Sequence, residues 1–482
     1  MSSLKEKTFS GAIWSSVERF ASYGLQFVFG ILMARLLAPS DYGTIALLNV
    51  FFAICQTFID SGFNLAIIRK QDRCEEDFST ALIFSVLVAV LSYVLLWFGA
   101  PYIASFYQIP ILTQITRVIS FNLVITTISS MHNAKLSISL DFFSKAKVSI
   151  FAVIGSCSIG LWMAYSGYGV WALVVQVMVS SLIRTLLLFY YVRWVPKLRF
   201  SKSSFKSMFA FGSKMLVSGV IGNIYNNLYS IIIGKIFTPS LLGMYSKAES
   251  FATLPSLQMS GVILSVSYPA LAKIQDDDER LIQAYKKIFK LSSFIIFPLM
   301  IGLASLSDPL IRLLLGDKWE GVIILLQILC FSYVWDAFNA CNMNLLQLKG
   351  YSGIYLKLEI AKKILGIIML VVTVPMGLTE MCIGKVCLSL ISIPLNTYYS
   401  GKFYNYGLLA QLKDLSPILI LTLTMGGVVW VSVNLISSLL LKLILGFIVG
   451  VIIYVGGAYL FKFHELDDIF DLINSFIRKG DK

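Results

Sequence analysis

The chain has 482 residues, of which 57% are hydrophobic and only 13% are charged, and its formal net charge is +13. Soluble domains of average composition carry about 25% charged residues, so this chain cannot cover a globular surface with solvated side chains in the ordinary way. The composition excludes a soluble enzyme, a nucleic-acid-binding protein and a disordered scaffold, and it indicates a polytopic membrane protein.

Long apolar stretches follow one another along the whole chain. A helix that crosses a bilayer needs about 20 mostly apolar residues, and fourteen stretches meet that requirement. We therefore predict an all-α fold of about fourteen transmembrane helices. In chain order, their predicted centres lie near Gly24, Ala53, Leu87, Val124, Ile154, Val177, Leu228, Met259, Phe294, Cys330, Ile367, Ser389, Met425 and Phe447.

The basic residues between these stretches set the predicted orientation. If the N-terminus is cytoplasmic, 29 of the 39 lysines and arginines fall on the inner side and 5 on the outer side. The outer five are Arg35, Lys235, Arg312, Lys318 and Lys442. This asymmetry is the positive-inside pattern, and it accounts for most of the net charge. We expect a multi-pass protein of the cytoplasmic membrane with both termini in the cytoplasm.

A short motif recurs 200 residues apart. Residues 30–43 read GILMARLLAPSDYG and residues 230–243 read SIIIGKIFTPSLLG. In each copy a span ends at a cation and a proline turn, and the next span begins. Because six spans separate the copies, both run the same way through the membrane, which is typical of parallel repeats in transporters.

The repeat predicts the domain organisation. Residues 1–200 would form an N-terminal lobe of six spans, residues 201–402 a second six-helix lobe, and residues 403–482 a helix hairpin with a cytoplasmic tail. The two lobes would face each other across a central cavity. The basic, aromatic-rich linker at 193–214 is predicted to contain an amphipathic helix on the inner leaflet.

Ionisable residues within the spans are candidates for function, because each costs at least a few kcal/mol at membrane depth. They are Glu18, Arg19, Asp60, Arg117, Arg184, Lys247, Glu249, Asp336 and Lys385. Interhelical ion pairing or snorkelling is one interpretation, and a water-filled cavity is the other. We favour the cavity for Arg19 and Lys247 and pairing for the two aspartates, while both interpretations stay open for the other cations.

A cavity with positive fixed charge in a low-dielectric slab attracts an anion, and arginine binds phosphate oxygens bidentately. We therefore predict that phosphate or pyrophosphate is the bound group. Amides and tyrosines in the spans suit hydroxyl-rich cargo, although interhelical hydrogen bonds explain them equally well. The predicted substrate-binding residues are Arg19, Lys247, Arg117, Arg184, Glu18, Asn223, Tyr225 and Asn227.

Catalytic and cofactor motifs are not found in the sequence. There is no GxxxxGK[ST] phosphate loop, the loops predicted to be outside are short, and the seven cysteines form no CxxC pair. We expect no enzyme activity, no cofactor, no metal site and no disulfide framework.

Six segments in order and spacing resemble a known family. They are LMARLLAPSDYGTIAL (32–47), DSGFNLAIIRK (60–70), IIIGKIFTPSLLGMYSKAESFATLP (231–255), SYPALAKIQDDDERL (267–281), FPLMIGLASLSDPLIRLLLGDKW (297–319) and LQLKG (346–350). On these segments the chain resembles the bacterial polysaccharide transporters, or oligosaccharide flippases, of the multidrug/oligosaccharidyl-lipid/polysaccharide exporter superfamily, and most of all their colanic-acid-exporter-like branch.

The resemblance implies fourteen helices in two lobes and a hairpin, and alternating-access transport of undecaprenyl-pyrophosphate-linked oligosaccharide for surface polysaccharide such as O-antigen, capsule or exopolysaccharide. The implied partners are this lipid-linked substrate, membrane lipids, a coupling ion (H⁺ or Na⁺), and a polysaccharide polymerase with its export machinery. A multidrug or cation exporter of the same superfamily stays open because of the acidic residues Glu18, Asp60 and Asp336. A membrane glycosyltransferase or polymerase is the third alternative.

Overall fold

The computed structural model describes residues 4–60, 62–70, 72–197 and 199–471, and every regular element in these ranges is helical. By contacts the chain divides into two compact units, Met1–Gly243 and Met244–Lys482. The earlier helices are α1 (Leu4–Leu36), α2 (Pro39–Asp60), α3 (Phe63–Arg69), α4 (Glu75–Tyr107), α5 (Leu112–Ile128), α6 (Ser130–Ile138), α7 (Phe142–Tyr165), α8 (Val170–Val192), α9 (Lys202–Asn226) and α10 (Leu228–Ile236).

The long helix α11 (Pro239–Ala272) begins in the first unit and continues into the second. The later helices are α12 (Asp278–Ser305), α13 (Ser307–Leu314), α14 (Gly321–Tyr333), α15 (Asp336–Leu348), α16 (Ser352–Thr373), α17 (Leu378–Tyr404), α18 (Leu408–Asn434) and α19 (Leu439–Leu460), with a 3₁₀ turn at Asp317–Trp319.

Each of the fourteen predicted span centres lies in one of these helices. Among the described residues, nine helical segments are long and apolar enough to cross a membrane, or ten if the bent pair α9 and α10 is one span. The apolar part of α1 has the length of a short helix, Phe20–Leu36, and α5 has only 17 residues. The prediction of an all-α polytopic membrane protein is confirmed, while the number of spans and the lobe boundaries stay predictions.

Local sequence signals explain where α4 begins and ends. The carboxylate of Asp77 accepts a hydrogen bond from the backbone amide of Cys74 at 2.9 Å, as in a capping box. Three acidic residues in its first turn suit the positive end of the helix dipole. Gln108 then ends the helix in the left-handed conformation, with φ of 57°. At about 1.5 Å per residue, this 33-residue helix exceeds the thickness of the hydrocarbon core.

The repeated motif forms a close backbone contact in the first unit. A Cβ atom placed on Gly43 would collide with the carbonyl oxygen of Pro239, and one placed on Gly243 would collide with that of Pro39. The matched glycines of the two copies thus face the matched prolines reciprocally, at the first turns of α2 and α11. Only residues without a side chain allow the two backbones to approach this closely.

The helix predicted within the linker is the first part of a longer helix. It begins α9, which runs without a break from Lys202 to Asn226. Met208 is buried, and Phe205 lies 5.9 Å from Phe63 and 5.1 Å from Phe84 between ring centroids. These two side chains therefore pack into the core of the first unit, whereas Phe209 is exposed. The position of this helix on the inner leaflet stays a prediction.

A buried amide network ties together three helices of the second unit. Asn342 on α15 and Gln411 on α18 exchange two hydrogen bonds, of 2.9 and 3.0 Å, and Ser400 on α17 donates to the Asn342 carbonyl oxygen at 2.8 Å. All three side chains are buried. Since buried polar groups cost free energy unless they are paired, this network specifies how these helices pack.

Candidate functional site

The structure brings two of the predicted site residues to one serine. Glu18 on α1 accepts a hydrogen bond from the Ser149 hydroxyl on α7 at 2.6 Å, and Arg184 on α8 donates through Nη2 to the same oxygen at 3.0 Å. A carboxylate and a guanidinium are thus linked through a neutral hydroxyl, and Arg184 remains exposed. A role of Arg184 in binding an anion stays a prediction.

Arg117 has a local partner at one end of the helical pair α4 and α5. Its Nε donates to the backbone oxygen of Trp97 at 3.3 Å, and its guanidinium carbon lies 5.1 Å from the centroid of the Trp97 ring. A hydrogen bond and a cation–π contact with one neighbour satisfy much of this cation. Arg117 is therefore held by a local contact within the first unit.

The polar run on α9 marks the break between α9 and α10, whose axes differ by 43°. Asn223 donates to the Thr57 hydroxyl of α2 at 2.7 Å, and Asn227 donates to the backbone oxygen of Asn223 at 2.9 Å. Tyr225 lies between them and is half-buried. Two of the three predicted polar residues thus stabilise a helix break and its contact with α2.

Lys247 and Arg19 are the two cations that we expected at the central cavity. Lys247 lies on α11 and is half-buried. Arg19 belongs to α1, but its side chain lies outside the part of the chain that the structure describes. Their role in binding an anion stays a prediction.

A compact charge cluster in the second unit joins α11, α14 and α17. The ammonium of Lys385 lies 2.7 Å from Oε1 of Glu249 and 2.8 Å from the hydroxyl of Tyr333. The hydroxyls of Tyr245 and Tyr333 each donate to the same carboxylate oxygen at 3.0 Å. Of the two interpretations left open for Lys385, interhelical pairing is the one that the structure shows.

Both intramembrane aspartates stand where a helix is interrupted. Asp60 ends α2 shortly before α3, and Asp336 begins α15 after a gap of two residues from the end of α14. Asp336 accepts a hydrogen bond from the Ser256 hydroxyl at 3.5 Å. This hydrogen bond agrees with the structural role that we favoured for Asp336. Asp60, in contrast, also borders a cavity.

A cavity of about 430 Å³ with both polar and apolar walls lies beside Asp60 in the first unit. The Asp60 oxygen Oδ1 accepts hydrogen bonds from Gln56 at 3.2 Å and from Asn64 at 3.4 Å. Sequence analysis identified Asp60 and Asn223 separately but missed the cavity. The signal that was available is the 60–70 segment, which places a carboxylate, a glycine and an amide within five residues. The lining residues are Ala53, Gln56, Thr57, Asp60, Gly62, Asn64, Met215, Leu216 and Asn223.

The sequence was compared with models of known protein families, and one family matches. The family described as polysaccharide biosynthesis protein matches residues 32–324, more than half of the chain. The chain belongs to this family. Membership confirms the resemblance inferred from the sequence motifs.

Relatives of this chain occur in several bacteria. The chain is 26% identical to the teichuronic acid biosynthesis protein TuaB of Bacillus subtilis, over 73% of each chain. It is 26% identical to the lipopolysaccharide biosynthesis protein WzxC of Escherichia coli, over 83% of this chain and 82% of WzxC. It is 23% identical to the succinoglycan biosynthesis transport protein ExoT of Rhizobium meliloti, over 70% and 68% of the two chains.

Two solved structures share the fold. The lipid II flippase MurJ in an inward closed conformation superposes with a TM-score of 0.76 and 16% identity, over 96% of this chain and all of MurJ. An inward-facing multidrug resistance MATE transporter superposes with a TM-score of 0.61 and 17% identity, over 85% of this chain and 98% of the other. At these identities the likeness shows the fold of a multi-pass membrane protein.

Proposed function

We propose that this family member moves undecaprenyl-pyrophosphate-linked oligosaccharide from the inner to the outer leaflet of a bacterial cytoplasmic membrane. It would thereby supply surface polysaccharide biosynthesis as a transporter rather than as an enzyme. The observation that carries the proposal is the family match over residues 32–324 on a chain whose described part contains nine helical segments long and apolar enough to cross a membrane. The relative named a biosynthesis transport protein supports the same function.

The cargo explains why such a protein is needed. A pyrophosphate and a chain of sugar hydroxyls cannot cross hydrocarbon unaided, because each unsatisfied polar group costs several kcal/mol there. We propose that lobes at 1–200 and 201–402 alternately open a hydrated cavity to each side, with both termini in the cytoplasm. Arg19 and Lys247 would bind the phosphates, assisted by Arg184 and more weakly by Arg117. A proton or sodium gradient would drive the cycle, and a polymerase would receive the product.

Deletion of the gene tests the proposal directly. Lipid-linked oligosaccharide is expected to accumulate on the inner leaflet, and the surface polysaccharide is expected to disappear. A normal surface with altered drug tolerance would instead indicate a multidrug or cation exporter. An unpolymerised glycan that still reaches the surface would indicate a polymerase or glycosyltransferase.

Complementation of the deletion strain then tests the phosphate-binding role. Lys247→Ala should abolish most of the surface polysaccharide, whereas Lys247→Arg should retain it, because arginine keeps the charge and adds donors for phosphate oxygens. Lys413→Ala, at an exposed position, is the matched control and should behave as the wild type. Normal export by Lys247→Ala at equal protein level would remove this residue from the site.

A further inference from the structure

The cavity beside Asp60 has the chemistry of a saccharide site. It lies within the first unit, between α2, α3 and α9, and its polar walls carry one carboxylate, three carboxamides and one hydroxyl. Ala53, Met215 and Leu216 add apolar surface on which the C–H face of a sugar ring can rest. Pockets for small molecules combine such apolar walls with a few convergent polar groups.

Hydrogen-bonding capacity in the cavity is left unused. Both described hydrogen bonds to the Asp60 carboxylate go to Oδ1, and no described residue donates to Oδ2. Oδ2 can therefore accept a hydrogen bond from a ligand that brings hydroxyl groups.

The same groups disfavour the other classes of ligand. A phosphate would meet the negative charge of Asp60 and be repelled. A bare monovalent cation would fill little of a cavity of about 430 Å³, and Gln56 and Asn64 direct amide donors, not oxygens, at the carboxylate. A sugar ring both donates and accepts, and it can therefore use the free carboxylate oxygen and the amides together.

We propose that this cavity binds a neutral sugar residue, with Asp60 Oδ2 accepting a hydrogen bond from one of its hydroxyls. The proposal rests on the proposed function for the source of that sugar, namely the glycan of the lipid-linked cargo. It separates the two parts of the head group, since the phosphates bind at basic side chains and the sugar binds at a carboxylate. Gln56 and Asn223 are positioning residues, because each is hydrogen-bonded to a wall of the cavity.

The direct test measures binding to the full-length protein in lipid nanodiscs by saturation-transfer difference NMR. The probes are methyl glycosides of neutral hexoses and N-acetylhexosamines, with methyl glucuronide as the anionic comparison. Neutral glycosides should bind, and methyl glucuronide should bind at least tenfold more weakly, because its carboxylate meets Asp60. Equal or tighter binding of the glucuronide would overturn the proposal, as would the absence of binding by every neutral glycoside.

Two variants locate the binding. Asp60→Asn keeps the size of the side chain and removes its charge, and it should weaken glycoside binding about tenfold or more. Asp72→Asn makes the same change at an exposed carboxylate outside the cavity and should bind as the wild type. If Asp60→Asn does not fold, Leu216→Trp keeps the carboxylate and fills the cavity, and it should abolish binding. Wild-type affinity in a folded variant of either kind would refute the site.

The outcome is separable from that of the proposed function. If deletion of the gene causes no accumulation of lipid-linked oligosaccharide while glycoside binding still requires Asp60, the flippase function fails and the saccharide site stands. If the deletion behaves as expected but Asp60→Asn binds glycosides normally and restores export fully, the site fails and the function stands.

Discussion

Breaking the Lys385–Glu249 pair should destabilise the second unit. Lys385→Met removes the ammonium that lies 2.7 Å from Glu249 and leaves a carboxylate with hydrogen bonds from two tyrosines only. Loss of one partner from a buried pair costs about 3–5 kcal/mol, and exposed pairs contribute about 0–1 kcal/mol. The side chains are 20% and 32% exposed, which places the expected loss in the free energy of unfolding at about 2–4 kcal/mol.

A double-mutant cycle separates the charge from the packing. In Glu249→Gln combined with Lys385→Met, no charge is left, and the glutamine oxygen can still accept from Tyr245 and Tyr333. We expect the double variant to lose only about 1–2 kcal/mol, less than either single variant, because no unpaired charge remains. Coupling between the two positions should therefore be at least about 2 kcal/mol.

The assay is unfolding of the purified protein in mixed micelles by titration with sodium dodecyl sulfate, monitored by circular dichroism. All four proteins of the cycle are measured under one set of conditions. Additive losses in the two single variants, or a loss below about 0.5 kcal/mol in Lys385→Met, would show that solvent already screens the pair and would refute the reasoning.

Two further predictions concern the first unit. Gly43→Ala should lower the free energy of unfolding by about 1–3 kcal/mol, because the new methyl group collides with the facing proline carbonyl. The control Gly24→Ala has open space around the new methyl group and should be neutral or stabilising in the same titration. Equal effects of the two variants would contradict the close contact. Ser149→Ala removes the hydroxyl that links Glu18 and Arg184 and should lower the free energy of unfolding by about 1–2 kcal/mol. Ser149→Thr keeps a hydroxyl and should retain most of the stability. An alanine variant as stable as the wild type would show that water replaces the hydroxyl.

The positions of the helices were predictable because the governing quantity is local. A run of about 20 apolar residues is readable from the sequence without reference to any other part of the chain, and all fourteen predicted centres lie in helices. The repeated proline and glycine of α2 and α11 were recognisable for the same reason. Sequence also identified Asp60, Glu249 and Lys385 as ionisable residues within apolar runs, because their cost there is a property of the residue type.

The partners of these residues were decided by tertiary packing. Glu249 and Lys385 are 136 positions apart, and Thr57 and Asn223 are 166 apart. Neither contact can therefore be recognised from the sequence of a single helix. The angle at which two helices pack determines which side chains meet, and a change of one residue in register turns a helical side chain by about 100°. The apolar sequence therefore specified which segments form long helices, whereas only the packed structure settled that Lys385 is paired with Glu249 and that Asp60 borders a cavity.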